Sequence, residues 1–100
     1  MAQVAQELVD THQVILDGYV NEKKARRIIR ELRGIHEDDP AANVEFTITS
    51  PGGDVTGGTA IYSELVAMSE RKGGTHHVTT LVRGMAGSIA SLIFQAGDVR

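Results

Sequence analysis

Two periodicities alternate along this chain, and that alternation narrows its fold more than any other feature. Val14-Ile15-Leu16, Val44 to Thr49 and Val78 to Val82 are short runs rich in β-branched residues or alternating in polarity, as strands are. Helical spacing fills the intervals. Asn21 suits an N-cap, Glu22 suits the positive end of a helix, and Ala25, Ile28, Ile29, Leu32 and Ile35 recur on one face. The pattern predicts an amphipathic helix released near Gly34 and followed by the turn His36-Glu37-Asp38-Asp39-Pro40. Asp54 or Thr56 caps a second helix striped by Gly58, Ile61, Leu65 and Met68, ending by Gly73-Gly74. Glycines 57 and 58 are poor helix formers and are expected to let that helix approach the sheet closely. Ser88 to Phe94 starts a third helix, and Val99-Arg100 reads as the first step into a further strand. Strand and helix in strict alternation argue for an α/β fold of repeated βαβ units, with a parallel sheet and right-handed crossovers.

Composition removes several function classes. One hundred residues make a single domain at most, and 41% hydrophobic residues are enough for a core. With no cysteine there is no disulfide scaffold, thiolate nucleophile or cysteine-ligated metal. A net charge of −3 argues against nucleic acid or an anionic membrane as partner. Glu7 and Asp10, with no Lys or Arg before Lys23, do not read as a signal or transit peptide. Residues 1–11 are left as a possible arm or axial loop. The basic residues Lys23, Lys24, Arg26, Arg27, Arg30 and Arg33 crowd the first helix, where a solvated outer face explains them. The acidic run after it lacks the alternating oxygen ligands and central glycine of a calcium loop. His76-His77 has no third ligand at metal-site spacing, so no metal is expected.

In a parallel sheet, the turns Ser50 to Gly53 and Gly84 to Gly87 both follow the carboxyl ends of strands and share one edge, where open α/β sheets place their sites. If the two strands are neighbours, Gly53 and Ser88 face one another. Ala86-Gly87-Ser88-Ile89-Ala90 puts small residues around a serine at a strand–turn–helix junction, the steric demand of a nucleophile elbow. The backbone amides of Ile89 and Gly53 could then converge as an oxyanion hole. A serine opening a helix can equally be an N-cap. The glycines match neither a P-loop, which needs a following Gly-Lys-Ser/Thr, nor the dinucleotide fingerprint.

FTITSPGGDVTGGTAI (residues 46–61), the following Tyr62, and GMAGSIASLIFQAGD (residues 84–98) together resemble the ClpP-type serine peptidases. The second segment is particularly similar to the phage and prophage branch with its head-maturation proteases. VILDGYVNEKKARRIIRELRGIHEDDPAANVEF resembles the family's first strand and helix more weakly, so the match covers residues 13–100 in order. The resemblance implies a ClpP/crotonase-like fold and peptide-bond hydrolysis through an acyl-enzyme on Ser88. Gly53 and Ile89 would be the oxyanion donors, and Pro51, Gly52, Gly84 and Gly87 would shape the supporting turns. It implies an ATP-dependent Clp-type or a phage-capsid-processing endopeptidase, without metal or organic cofactor, in the cytoplasm. Stacked homo-oligomeric rings, an AAA+ unfoldase or capsid proteins would be its partners. The stretch Ser69 to His77 is longer than the family's usual connection, which allows the third strand to start later than Val78.

A serine hydroxyl needs a base. His12, His36, His76 and His77 all fall, by this topology, at the sheet edge opposite Ser88. Asp17 and Asp54 lie at the Ser88 edge, with no imidazole between. ClpP-like enzymes carry their histidine and aspartate downstream of the serine helix, so the chain is expected to be the N-terminal part of such a domain, incomplete at its C-terminus and inactive alone. The alternative is a catalytically incomplete subunit with an assembly role. A signal-peptide-peptidase-like Ser/Lys hydrolase or a crotonase-superfamily enzyme is more distant, and no lysine follows Lys72.

Overall fold

A computed structural model describes residues 10–100. The proposed arm at residues 1–11 falls outside that range except at its end, where Thr11 already belongs to a strand. Three parallel strands, β1 (Thr11–Asp17), β2 (Asn43–Ser50) and β3 (Val78–Ala86), form a sheet in the order β1-β2-β3. Helices α1 (Glu22–Asp38) and α2 (Val55–Met68) make the crossovers, and α3 (Ile89–Phe94) follows β3. The strand order steps the same way twice, so right-handed crossovers put α1 and α2 on one face, where they pack together. The predicted βαβ architecture is present. Val99 forms an isolated parallel bridge to Thr79.

Side-chain alternation divides the sheet into a covered and an open face. Val14, Leu16, Val44, Phe46, Ile48 and Val78 are buried under the helices. Gln13, Ile15, Asp17, Glu45, Thr47 and Thr49 line the other face. Ile15 is 57% exposed, so the apolar run Val14-Ile15-Leu16, which reads by sequence as a buried strand, is buried at only two of its three positions. Among the described residues, helices cover only one face of the strand.

The Asn21 side chain caps α1 by accepting from the Lys24 N–H at 2.7 Å. The helix runs a turn past Gly34, so His36, Glu37 and Asp38 are helical and not the turn expected. A mid-helix glycine costs only about 1 kcal/mol relative to alanine, and the burial of Ile35 one residue later offsets it. Pro40 stops the helix instead, because the residue before a proline is biased away from helical geometry. On α2, Asp54 is the cap, accepting from the Gly57 N–H at 2.8 Å. This helix ends at Met68, before Gly73-Gly74, and a short 3-10 turn at Glu70–Lys72 folds the long connection on itself. That folding absorbs the extra residues, and β3 starts at Val78 rather than later.

Two of the predicted packing details differ. Gly57 and Gly58 admit neighbouring helices, not the sheet: a Cβ on Gly57 would lie 3.1 Å from Ala25 Cβ, and one on Gly58 only 2.2 Å from Ile89 Cγ1. The two adjacent histidines part ways. His76 is fully buried, its Nδ1 donating to the Ala42 carbonyl at 2.7 Å. That tautomer leaves Nε2 to accept from His36 Nδ1 at 2.8 Å. The pair ties the end of α1 to the connection ahead of β3.

Candidate active site

The segment before the serine is not the simple turn predicted. β3 continues through Gly84, Met85 and Ala86. Ile48 pairs with Val82 but Ser50 pairs with Ala86, so two steps along β2 match four along β3. Gly84, at φ +90°, sits in this bulge, and Thr49 Oγ1 donates to the Arg83 carbonyl across it at 2.6 Å. The bulge absorbs the surplus residues and lets pairing resume at Ala86, which re-aims the chain at the strand's end. The turn itself is Gly87-Ser88.

Resumed pairing brings the two glycine-rich segments into contact. The Gly87 N–H donates to the Ser50 carbonyl at 2.8 Å. A Cβ on Gly52 would fall 2.7 Å from Ser88 Cβ and 2.8 Å from the Gly87 carbonyl oxygen, so no other residue fits there. The residue directly against Ser88 is therefore Gly52. Gly53, expected to face the serine, instead lies against Val20, whose carbonyl oxygen would be 2.3 Å from an added Cβ. The Val20 N–H donates to the Gly52 carbonyl at 2.9 Å, and the Asp54 N–H donates to the Val20 carbonyl at 2.8 Å. From below, the buried Ser50 hydroxyl accepts from the Gly52 N–H at 3.0 Å. Ser50-Pro51-Gly52-Gly53 is thus clamped between Val20 and the serine turn.

Ser88 stands apart in its backbone. Among the described residues it is the only non-glycine with positive φ, at φ 51°, ψ −126°. Such a conformation costs on the order of 1–3 kcal/mol and persists only where surroundings enforce it. Its side chain makes no capping hydrogen bond, which removes the N-cap reading. The Ser88 carbonyl accepts from both the Ser91 N–H and its hydroxyl, and the exposed Ser88 hydroxyl has no hydrogen-bond partner among the described residues. Ile89 is buried in the notch left by Gly58. Among the described residues, the N–H groups of Gly53 and Ile89 donate to no backbone or side-chain acceptor.

All four histidines lie away from this turn. His12 pairs with Val44 at the start of β2, and His77 immediately precedes β3. His36 is in the last turn of α1 and holds His76. These are the amino ends of the strands; Ser88 is beyond the carboxyl end of β3. Asp54 is at the serine edge, but its carboxylate is engaged in capping α2. One position that the sequence reading passed over also shapes the site: Val20, two residues past the turn at Gly18, is a short continuation of β1 pairing. A β-branched residue soon after a strand-end glycine was the available signal for Val20. Gly58, expected to face the sheet, is instead the seat for Ile89.

A family model described as Clp protease matches residues 1–100. The chain belongs to the Clp protease family. Individual Clp relatives agree. The chain is 33% identical over 94 residues to the ATP-dependent Clp protease proteolytic subunit 2 of Cutibacterium acnes, covering 94% of this chain and 42% of that protein. It is 32% identical over 90 residues to proteolytic subunit 1 of Chlamydia pneumoniae, covering 90% and 44%. With proteolytic subunit 1 of Protochlamydia amoebophila it shares 32% over 91 residues, covering 91% and 41%. The chain thus spans less than half the length of these Clp subunits. Among the described residues no helix is long and apolar enough to cross a membrane.

Proposed function

We propose that this chain carries the nucleophile and oxyanion donors of a Clp-type serine endopeptidase. One observation carries the reading: a single exposed serine is held in a strained, uncapped conformation at a strand–helix elbow against a glycine-rich turn. In the reaction, Ser88 Oγ bonds to the carbonyl carbon of a peptide and the carbonyl oxygen takes up negative charge. The amides of Gly53 and Ile89 stabilise that oxygen, each donor contributing roughly 3–4 kcal/mol in sites of this kind. The hydroxyl proton passes to a base outside the described residues, which returns it to the leaving amine. Water then cleaves the ester on Ser88.

The names of the relatives, ATP-dependent Clp protease proteolytic subunits, support an ATP-dependent Clp-type subunit in preference to a capsid-processing enzyme. The position of all four histidines at the far edge favours a second reading, a catalytically incomplete subunit kept for assembly. The reading frame after codon 100 separates the two. A continuing frame with a histidine and then an aspartate, whose product hydrolyses a fluorogenic peptide and loses that activity in Ser88→Ala, supports the peptidase. An immediate stop codon overturns it in favour of the incomplete subunit.

A further inference from the structure

His77, once separated from His76, acquires partners that its sequence neighbourhood does not supply. Its Nδ1 lies 2.7 Å from Glu70 Oε1 on the 3-10 turn. Asp98, just after α3, is the third member: one ligand atom from each of Glu70, His77 and Asp98 lies within 4.8 Å of the other two. We propose that Glu70, His77 and Asp98 form a surface binding site for a borderline divalent cation such as zinc.

The donor set and its spacing fit that chemistry. One imidazole and two carboxylates suit zinc, and a tetrahedral site with bonds of about 2.0–2.1 Å has ligand–ligand edges of about 3.3 Å. The Nδ1–Oε1 pair needs to open only slightly to reach that edge, with the cation replacing the proton between them. Asp98 is already fixed. Its Oδ1 accepts from the Ser69 hydroxyl and from the Arg71 N–H at 2.9 Å, and its Oδ2 accepts from the Val78 N–H at 2.8 Å. A carboxylate oxygen has two lone pairs, so Oδ2 keeps one for a metal. Partial burial pushes the Asp98 carboxyl up, but the bonds from Ser69, Val78 and Arg71, with the charge of His77, more than offset it and hold the group below its ordinary value. Asp98 is an anion before any cation arrives. The Glu70 and His77 side chains are 54% and 39% exposed, which leaves the fourth position open to water. Asp10, His12 and Asp39 are the other such group among the described residues. The Asp10–His12 pair lies close in sequence there, and among the described residues the only bond to that group's carboxylates is from the Ala41 N–H to Asp39 Oδ1 at 3.2 Å.

Binding here would join the connection after α2, the start of β3 and the segment after α3. Calorimetry of the tag-free chain with zinc chloride at neutral pH tests it. One equivalent of zinc is expected, with a rise in thermal midpoint as ligand stabilises the folded state. His77→Ala and Glu70→Gln, both at exposed side chains, should weaken binding by at least the roughly 10–100-fold that loss of an outer-shell partner causes. His12→Ala and His36→Ala should leave it unchanged. No zinc binding, or binding lost in His12→Ala or His36→Ala while His77→Ala retains it, overturns the proposal.

Discussion

Ser88 is held from two sides. Gly52 presses on its Cβ, and Ile89 is anchored in the Gly58 notch one residue later. Its positive φ is therefore imposed by packing, and it leaves a thermodynamic mark. Replacing a Cβ-bearing residue by glycine in a left-handed conformation relieves roughly 1–2 kcal/mol, less the roughly 0.5–1 kcal/mol of extra backbone entropy that glycine loses on folding. Ser88→Gly and Ser88→Ala both remove the hydroxyl, so their difference isolates the strain. Urea unfolding should find the glycine variant more stable by about 1 kcal/mol. An alanine variant as stable as the glycine one would mean that φ 51° is not enforced.

At the scale of elements, the contact between α2 and α3 positions the elbow. A Cβ at position 58 would sit 2.2 Å from Ile89 Cγ1, too close to absorb without movement. Gly58→Ala should destabilise the chain by about 1–3 kcal/mol, as overpacking does. Adding Ile89→Ala should restore part of that loss, because the clash and its cause would then be removed together. Strictly additive losses in the double variant would place the strain elsewhere. This contact also marks the limit of what could be read from the sequence. The periodicities revealed the three strands and three α-helices of the described residues, though not the 3-10 turn at Glu70–Lys72, and the stripe Gly58, Ile61, Leu65, Met68 correctly marked the buried face of α2. Which neighbour fills a glycine's empty space is decided by tertiary packing, so Gly57 and Gly58 were assigned to the wrong partner. The same holds at Gly84: a glycine at a strand end looks like a turn, and only the register against β2 reveals a bulge. Gly34 misled for a different reason, since helix propensity is a weak preference that the burial of Ile35 overrides.

The whole molecule is open where a more extensive assembly would cover it. Among the described residues one sheet face carries no helices, and Ile15, Met85 and Val99 are 57%, 52% and 50% exposed. Tyr19, Val55, Val82 and Leu92 are exposed as well, which gives the described residues accessible apolar surface that association could cover. Sedimentation velocity at neutral pH should show concentration-dependent association, and a chain that stays monomeric at high concentration would count against a subunit role. The polarity of the sheet has a chemical consequence as well. Ser88 and the amides of Gly53 and Ile89 lie beyond the carboxyl ends of the strands, while the imidazoles of His12, His36, His76 and His77 lie at the amino ends. On the proposed reading the nucleophile is shaped here, and among the described residues no imidazole stands beside it to act as base.

That separation is tested most directly by locating where a fluorophosphonate reacts with the folded chain, by peptide mapping, with and without imidazole as an added base. Ser63 and Ser91 are exposed serines on helices and serve as internal references. The account predicts no labelling of any serine without imidazole, and labelling confined to Ser88 when imidazole is present, lost in Ser88→Ala. Labelling of Ser88 without added base would show a base among these residues, and reaction of Ser63 or Ser91 as readily as Ser88 would contradict the elbow.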